Sequence, residues 1–80
     1  MWFVYILLCK DGSLYTGATN NLEKRFLEHK NGTGGKYTRS HKPVKMVYQE
    51  AFQTQSEALK REIEIKSWSR KEKSRLFLSK

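Results

Sequence analysis

The chain opens with an unbroken run of strand-forming apolar residues, Trp2 to Cys9, and this run restricts the fold more than any other segment. An unbroken apolar run is typical of a strand that is covered on both faces, because a half-exposed strand would alternate with polar residues. Asp11-Gly12 then marks a turn, and Leu14 to Ala18 reads as a second strand. We therefore expect a hairpin whose first strand is buried on both sides.

The length of the hairpin loop decides which face of the sheet each tyrosine occupies. A two-residue turn would put Tyr5 and Tyr15 on opposite faces. A three-residue loop over residues 10–12, with Gly12 left-handed and a G1 bulge, would place Tyr15 opposite Leu7 and Tyr5 opposite Gly17. The tyrosines would then be diagonal neighbours about 7–8 Å apart. In that case Gly17 would leave room for a ligand to approach Tyr5.

A first helix is predicted from about Asn21 to Lys30, since Asn20 and Glu23 have the spacing of a capping box. Arg25 and His29 border the apolar stripe that this helix should turn toward the sheet. A charged residue at the inner edge of a helix needs a reason. Arg25 either binds a ligand there or extends past the sheet to water or a carboxylate.

The remaining elements follow from turn and capping signals. Residues 31–43 are predicted to form a flexible loop, and Val44 to Phe52 a third strand. Capping-box spacings at Thr54 and Ser69 predict two further helices over about 55–68 and 70–78. The sequence thus predicts one α+β domain over residues 1–80, a three-stranded antiparallel sheet flanked by helices. The predicted order is strand, strand, helix, strand, helix, helix.

Glu62 is predicted to lie on the apolar side of the helix over residues 55–68. That apolar arc comprises Ala58, Leu59, Ile63 and Ile65. A carboxylate in such a position is costly unless it is paired, hydrogen-bonded or bound to metal. Lys66, one turn later, offers an ion pair, and a metal ion is the other option; the spacing favours neither.

Charge indicates the class of partner. Sixteen Lys and Arg against eight Asp and Glu give a formal net charge of +8. A small domain with this charge attracts polyanions, among which nucleic acid is the commonest. Contacts to backbone phosphates would give affinity without sequence selection. The candidate contact residues are Lys24, Lys36, Tyr37, Arg39, Lys42, Lys66, Arg70 and Lys71. For the C-terminal members, an ordinary solvated face is the alternative.

Several classes of protein are excluded by composition. The single cysteine, Cys9, has no partner for an internal disulfide and is expected as a buried thiol. The apolar residues 2–9 are too few to span a bilayer and lack the features of a signal peptide. We expect a cytoplasmic protein with no membrane partner, and a monomer is favoured.

Four segments carry a family resemblance when taken in order. They are Phe3-Val4-Tyr5, Tyr15-Thr16-Gly17, Arg25 with His29, and Glu62. The set resembles the GIY-YIG nuclease superfamily, and most closely its small stand-alone bacterial members. In that superfamily a motif ending in Tyr lies on the first strand and Tyr-x-Gly on the second, followed by a helical Arg and a later Glu. The resemblance covers nearly the whole chain and favours the three-residue loop, because the family needs both tyrosines together.

The resemblance implies a metal-dependent endonuclease acting on DNA, with RNA as a second candidate polymer and branched, damaged or flapped substrates left open. It assigns Tyr5 as general base, although the residues alone do not rank it above Tyr15. A phenol pKa near 10 must fall for that role, and nearby cations are expected to lower it. Arg25 would bind phosphate, and Glu62 would hold Mg²⁺ or Mn²⁺. Tyr15 and His29 would orient the water or the phosphate.

Three departures from the family pattern bear on activity. Phe3 replaces the first Gly of the motif and Thr16 its central Ile, and neither change removes a catalytic group. No Asn follows Asn31, so the late phosphate-positioning Asn of some relatives has no counterpart. This absence favours an alternative function, a non-catalytic nucleic-acid-binding module that retains the fold. The five polar site positions favour the enzyme.

Overall fold

Three strands pair into one antiparallel sheet in the computed structural model, which describes residues 1–78. They are β1 (Trp2–Cys9), β2 (Leu14–Thr19) and β3 (Pro43–Phe52), in the spatial order β2-β1-β3. Four helices complete the described part of the chain: α1 (Leu22–Lys30), α2 (Lys36–Ser40), α3 (Gln55–Lys66) and α4 (Arg70–Leu78). The predicted α+β class and the three-stranded antiparallel sheet are confirmed.

The β1–β2 hairpin has the three-residue loop. Gly12 lies in the left-handed region with φ +86°, and its N–H donates to the Cys9 carbonyl at 2.9 Å. The register pairs Tyr5 with Gly17 and Leu7 with Tyr15. Because positions directly opposite each other share a face, this register brings Tyr5 and Tyr15 to the same side of the sheet.

One face of the sheet packs on α3 and holds the apolar core. Val4 and Ile6 of β1 meet Ala58 and Ile65 of α3, and all four side chains are fully buried. The start of α3 is held by the predicted capping box, in which Thr54 and Glu57 exchange hydrogen bonds. Partly buried side chains extend this core; they include Trp2, Leu14, Tyr48, Phe52, Trp68, Leu76 and Phe77.

The other face of β1 is buried just as completely, but under polar groups. Tyr5, Leu7 and Cys9 point to this side and are 2% exposed or less. His29 from α1 and Thr38 from α2 are buried with them. The expectation that the first strand is covered on both faces is therefore confirmed, and the Cys9 thiol is buried as expected.

Two predictions about the first helix and the loop after it were wrong. The cap of α1 is Asn21, whose side chain accepts from the Lys24 N–H at 3.0 Å, rather than Asn20. Within residues 31–43, predicted as a flexible loop, Lys36–Ser40 forms the short helix α2. A five-residue helix is too short to show an apolar period, and the glycine-rich stretch before it gave the stronger signal.

The predicted apolar arc of α3 is narrower than expected. Ile63 is 69% exposed and Leu59 40% exposed, so neither belongs to the core. Arg61, expected on the solvent side, is partly buried, pairs with Glu50 at 2.9 Å and lies over the Trp68 ring. The helix thus meets the sheet along a stripe rotated toward Arg61 and away from Ile63. α3 ends at Lys66, two residues earlier than predicted.

The last helix begins as predicted. Ser69 and Glu72 exchange hydrogen bonds, the Glu72 N–H donating to Ser69 Oγ at 3.2 Å and the Ser69 N–H to Glu72 Oε1 at 2.9 Å. Within residues 1–78, none of the helices combines the length and the hydrophobicity that crossing a bilayer requires.

Candidate active site

A chain of three buried side chains forms the centre of the site. Tyr5 Oη lies 2.8 Å from His29 Nε2, and His29 Nδ1 lies 2.7 Å from Thr38 Oγ1. These groups come from three different elements, β1, α1 and α2. Tyr5 is 1% exposed and His29 0%. Such burial is tolerated because each polar group has a hydrogen-bond partner.

Aromatic rings cover these three hydrogen-bonded side chains. The Tyr15 ring stands edge-on to His29, with centroids 5.0 Å apart, and lies 6.3 Å from the Tyr5 ring. Tyr37 stacks on Tyr15 at 5.5 Å and on His41 at 4.2 Å. Tyr15 therefore lies between the buried pair and an exposed aromatic stack on α2.

Arg25 borders the buried pair from α1. Its Nη1 donates to Glu28 Oε1 at 3.0 Å, and its Nη2 donates to the Gly34 carbonyl at 2.8 Å. Its guanidinium carries more N–H donors than these two bonds use, and it also lies beside the Tyr5 hydroxyl. About a third of the side chain is exposed. Arg25 therefore has the carboxylate partner that one of the two alternatives predicted, and part of its side chain stays exposed at the site.

Burial dominates the acidity of Tyr5. Loss of solvation raises the pKa of its phenol to about 12, although the Arg25 guanidinium beside it acts in the opposite direction. Arg25 thus lowers this pKa, as expected for a nearby cation, but burial outweighs it and the net change is an increase. The charge of Glu62 contributes a small further increase, which places Glu62 within electrostatic range of Tyr5. At neutral pH Tyr5 is a neutral phenol.

Burial also keeps His29 neutral. It lowers the pKa of the imidazole to about 4, and the neighbouring Arg25 charge acts in the same direction. A neutral imidazole has one protonated and one unprotonated ring nitrogen. His29 can therefore act as acceptor at one nitrogen and as donor at the other within the chain of hydrogen bonds.

Gly17 has a different role from the one predicted. Its backbone is extended, and a Cβ placed there would stand 2.6 Å from Cζ of Tyr5. The space opposite Tyr5 is thus occupied by the Tyr5 ring itself, rather than left open for a ligand. Gly17 is required so that this ring can fold across β2 toward His29.

Glu62 has the ion-pair partner that was one of its two options. Lys66 Nζ lies 2.9 Å from Glu62 Oε2, and the Glu62 side chain is 16% exposed against 50% for Lys66. Within residues 1–78 no cluster of three or more His, Cys, Asp or Glu side chains could hold a metal ion. A lone carboxylate still suits Mg²⁺, which commonly takes one or two carboxylates together with water and substrate phosphates. Glu62 therefore fits a cation that a phosphate also holds.

The candidate phosphate contacts fall into two groups. Lys24 lines a surface cavity of about 260 Å³ next to Arg25. Lys36, Tyr37, Arg39 and Lys42 are exposed on or just after α2, beside the aromatic cover. Lys66, Arg70 and Lys71 are exposed where α3 passes into α4. Arg70 in addition donates to the Gly12 carbonyl in the hairpin loop.

Two residues of the site were missed by sequence reasoning. Thr38 was placed in a flexible loop, so its contact with His29 was not anticipated. Gly34 supplies the carbonyl that Arg25 binds, and a Cβ there would stand 2.9 Å from the His29 Cα. The pair Gly34-Gly35 was the available signal, since adjacent glycines inside a polar loop indicate close backbone approach.

Comparisons with known proteins show which proteins this chain is similar to. A family model described as the GIY-YIG catalytic domain matches residues 1–75. A UPF0213 protein of Staphylococcus saprophyticus is 58% identical over 75 residues, covering 94% of this chain and 92% of that protein. One of Clostridium perfringens is 58% identical over 80 residues, covering 100% and 86%. The solution NMR structure of a UPF0213 protein from Bacillus halodurans has a TM-score of 0.59 at 45% identity, covering 95% and 82%.

Proposed function

Because the chain belongs to the GIY-YIG family, we propose that it is a metal-dependent endonuclease that hydrolyses phosphodiester bonds of DNA. The observation that carries the proposal is the 2.8 Å contact between Tyr5 Oη and His29 Nε2, with Arg25 beside it. This contact joins the Tyr5 hydroxyl, whose phenolate could take a proton from water, to an imidazole nitrogen that could receive the proton of the phenol.

The base step uses both residues of the buried pair. A phenol with a pKa of about 12 is a poor base while it keeps its own proton. Transfer of that proton to His29 Nε2 leaves a phenolate, which then removes a proton from the attacking water. Because the pKa of His29 is about 4, this transfer is uphill, and the phenolate forms only transiently during the reaction. The adjacent Arg25 charge stabilises the phenolate. Tyr5 is therefore the base in this scheme, and His29 is the acceptor behind it.

Arg25 provides the contact to the scissile phosphate. Its guanidinium matches phosphate oxygens in bidentate geometry, and its bonds to Glu28 and Gly34 hold it at the edge of the site. Positive charge that is already in position stabilises the charge that develops in the transition state. Tyr15, next to both rings, would orient the water or the phosphate through its hydroxyl.

Glu62 would hold the divalent cation, Mg²⁺ or Mn²⁺, together with a phosphate of the substrate. When bound, that cation would neutralise charge on the phosphate and assist the leaving oxygen. Lys66 must first release the carboxylate, since it occupies Oε2 at 2.9 Å. We therefore expect weak metal binding to the free protein and stronger binding in the presence of DNA.

A second function is favoured by the burial of the site. Tyr5 and His29 are closed off from solvent, and Lys66 already neutralises Glu62. A module that binds nucleic acid through the cations of α2 and of the α3–α4 junction, without cleaving it, would need neither group to be accessible. The two functions differ in one observable, metal-dependent strand scission.

The deciding experiment is a cleavage screen over duplex, single-stranded, flap and junction DNA with and without Mg²⁺. We expect Glu62→Gln to abolish cleavage and to leave DNA binding intact or stronger, because a negative charge near the phosphate is removed. Arg25→Ala should lower the rate about 10²–10³-fold and also weaken binding. Glu64→Gln is the matched control, since Glu64 lies on the same helix in an ion pair with Arg61.

Two outcomes would contradict the enzyme. One is the absence of cleavage on every substrate by a folded wild-type protein that binds DNA, which would leave the binding module. The other is wild-type cleavage by Glu62→Gln in excess Mg²⁺ together with unfolding of Lys66→Met, which would make Glu62 a structural ion-pair member.

The proposed partner has a test of its own in the salt dependence of binding. The logarithm of the DNA association constant should fall steeply and linearly with the logarithm of salt concentration, by about 0.9 per duplex phosphate contact. Arg39→Ala or Lys71→Ala should reduce that slope equally for all sequences, and Lys60→Ala, exposed on the outer side of α3, should not. A flat salt response would indicate a partner other than a polyanion.

A further inference from the structure

We propose that Thr38 is a positioning residue that keeps the proton of His29 on Nδ1, so that Nε2 is free to receive the proton of Tyr5. This inference rests on the proposed function for its catalytic consequence, but it concerns an arrangement of protons that can be observed without catalysis. The supporting geometry is the 2.7 Å contact from Thr38 Oγ1 to His29 Nδ1 and the 2.8 Å contact from His29 Nε2 to Tyr5 Oη.

Two arrangements of protons satisfy these contacts. In the first, the Tyr5 hydroxyl donates to Nε2 of His29, and Nδ1–H donates to Thr38 Oγ1. In the second, both bonds are reversed, so that the Thr38 hydroxyl donates to Nδ1 and Nε2–H donates to Tyr5 Oη. The tautomer of a histidine is set by the bonds of its two ring nitrogens, so the surroundings of Tyr5 and Thr38 decide between them.

The neighbours of Tyr5 favour the first arrangement. The Arg25 guanidinium lies beside the Tyr5 oxygen, and its positive charge favours a Tyr5 oxygen that gives up its proton toward His29. In the second arrangement Tyr5 would accept from His29, and its own proton would need another acceptor. Within residues 1–78, His29 Nε2 is the acceptor that the structure places at the Tyr5 hydroxyl. A buried donor without an acceptor is unfavourable.

Thr38 tolerates the first arrangement better than Tyr5 tolerates the second. An aliphatic hydroxyl is less acidic, and so a weaker hydrogen-bond donor, than the phenol of Tyr5. The Thr38 oxygen lies 2.7 Å from His29 Nδ1 and can accept the proton that this nitrogen carries. The Thr38 hydroxyl, the weaker donor, thus accepts from His29, and the more acidic phenol of Tyr5 donates to His29.

The first arrangement is also the one that permits the base step. When the O–H bond of Tyr5 breaks and an Nε2–H bond forms, His29 becomes an imidazolium whose two N–H groups face Thr38 and the Tyr5 phenolate. No other group has to move. In the second arrangement Nε2 already carries a proton and receives nothing. Thr38 therefore acts through His29, without touching the reacting atoms.

The test is long-range ¹⁵N–¹H NMR of histidine-labelled protein in a His41→Gln background, where His29 is the single remaining histidine. We expect protonated Nδ1 and unprotonated Nε2 at neutral pH, and the same tautomer in Thr38→Ser. In Thr38→Val, which keeps the shape but removes the acceptor, the proton should move to Nε2. Cleavage by Thr38→Val should fall on the order of 10–10³-fold in kcat with KM unchanged, and Thr38→Ser should restore it.

The outcomes separate the two proposals. Protonated Nε2 in the wild-type spectrum overturns the inference, even if Thr38→Val fails to fold. An unchanged tautomer in folded Thr38→Val overturns it as well. The expected tautomers, found in a protein that cleaves no DNA, would instead uphold the placement of the proton and refute the nuclease.

Discussion

The two faces of β1 are buried to the same degree by opposite kinds of chemistry. On the α3 face, Val4 and Ile6 pack against Ala58 and Ile65 in an apolar cluster, with the buried Thr16 opposite Ile6 as its polar neighbour. On the α1–α2 face, the same strand buries the hydroxyl of Tyr5 against the His29 imidazole, whose other nitrogen contacts the Thr38 hydroxyl. Alternate residues of one eight-residue strand thus serve a core and a candidate active site.

The difference lies in what each face requires of its neighbours. Apolar burial is stabilising wherever the side chains fit, so the α3 face depends on shape and volume alone. Polar burial is costly for a group without a partner, so the α1–α2 face depends on four hydrogen-bonding atoms of three side chains. A small domain therefore concentrates its stability on one side of a strand and its chemistry on the other.

The largest effect should come from Tyr5→Phe, which removes one oxygen from the polar face and keeps the ring. Cleavage should fall about 10²–10⁴-fold, because the proposed base is lost. The cost in stability should be about 1–3 kcal/mol, since His29 Nε2 loses its partner. Single-turnover rates measure the first quantity and urea denaturation the second. Tyr48→Phe, opposite Ile6 in the sheet, is the control that should cleave normally; equal losses in both variants would remove the distinction between the faces.

On the apolar face, Ile65→Ala should act on stability alone. We expect a loss of about 2–5 kcal/mol in the free energy of unfolding, as for other buried truncations. Turnover per folded molecule should stay at the wild-type value, measured below the unfolding midpoint with the folded fraction taken from circular dichroism. Leu59→Ala, exposed on the same helix, should change stability by less than about 0.5 kcal/mol. A specific loss of turnover in folded Ile65→Ala would contradict the separation of roles.

The polar face should make the protein sensitive to acid through His29. Its pKa falls from an ordinary 6.5 to about 4 on folding, so the unfolded chain binds the proton more readily. Stability from this group is then fully present above pH 6.5 and is lost as the pH falls toward 4. The expected loss is on the order of 2–3 kcal/mol. Urea midpoints between pH 7 and pH 4 should show it in wild type and in His41→Gln, and His29→Gln should flatten the curve.

Among the variants that alter a site residue or its partner, the smallest effect on stability is expected for the ion pair of Glu62 on α3. Lys66→Met removes a half-exposed ion pair, and such pairs contribute less than about 1 kcal/mol. The carboxylate is then released, so Mn²⁺ binding in the presence of DNA should tighten and cleavage should need less Mg²⁺. Calorimetric titration of Mn²⁺ into both proteins measures the first effect. Weaker metal binding by Lys66→Met would show that Lys66 supports the site rather than competing for it.

Local signals in the sequence were sufficient for most of the fold. The Asp11-Gly12 turn and the two apolar segments around it predicted the hairpin, and the capping residues Thr54 and Ser69 located the starts of α3 and α4. The positions of Tyr5 and Tyr15 on one face followed once the loop length was chosen. These features depend on residues near one another in the chain, so they can be predicted without knowledge of the rest of the molecule.

What only the tertiary structure decided depends on burial and on the actual positions of the side chains in the packed chain. Burial, a collective property of the packed chain, raised the Tyr5 pKa to about 12 where local charges alone argued for a decrease. The contact between Thr38 and His29 requires α2 to fold and dock on α1. A five-residue helix is too short to be predicted from the periodicity of its apolar residues. From the sequence, Glu62 had two candidate partners, Lys66 and a metal ion. The actual distances between side chains, rather than residue types, selected Lys66 and placed the buried pair beside Arg25.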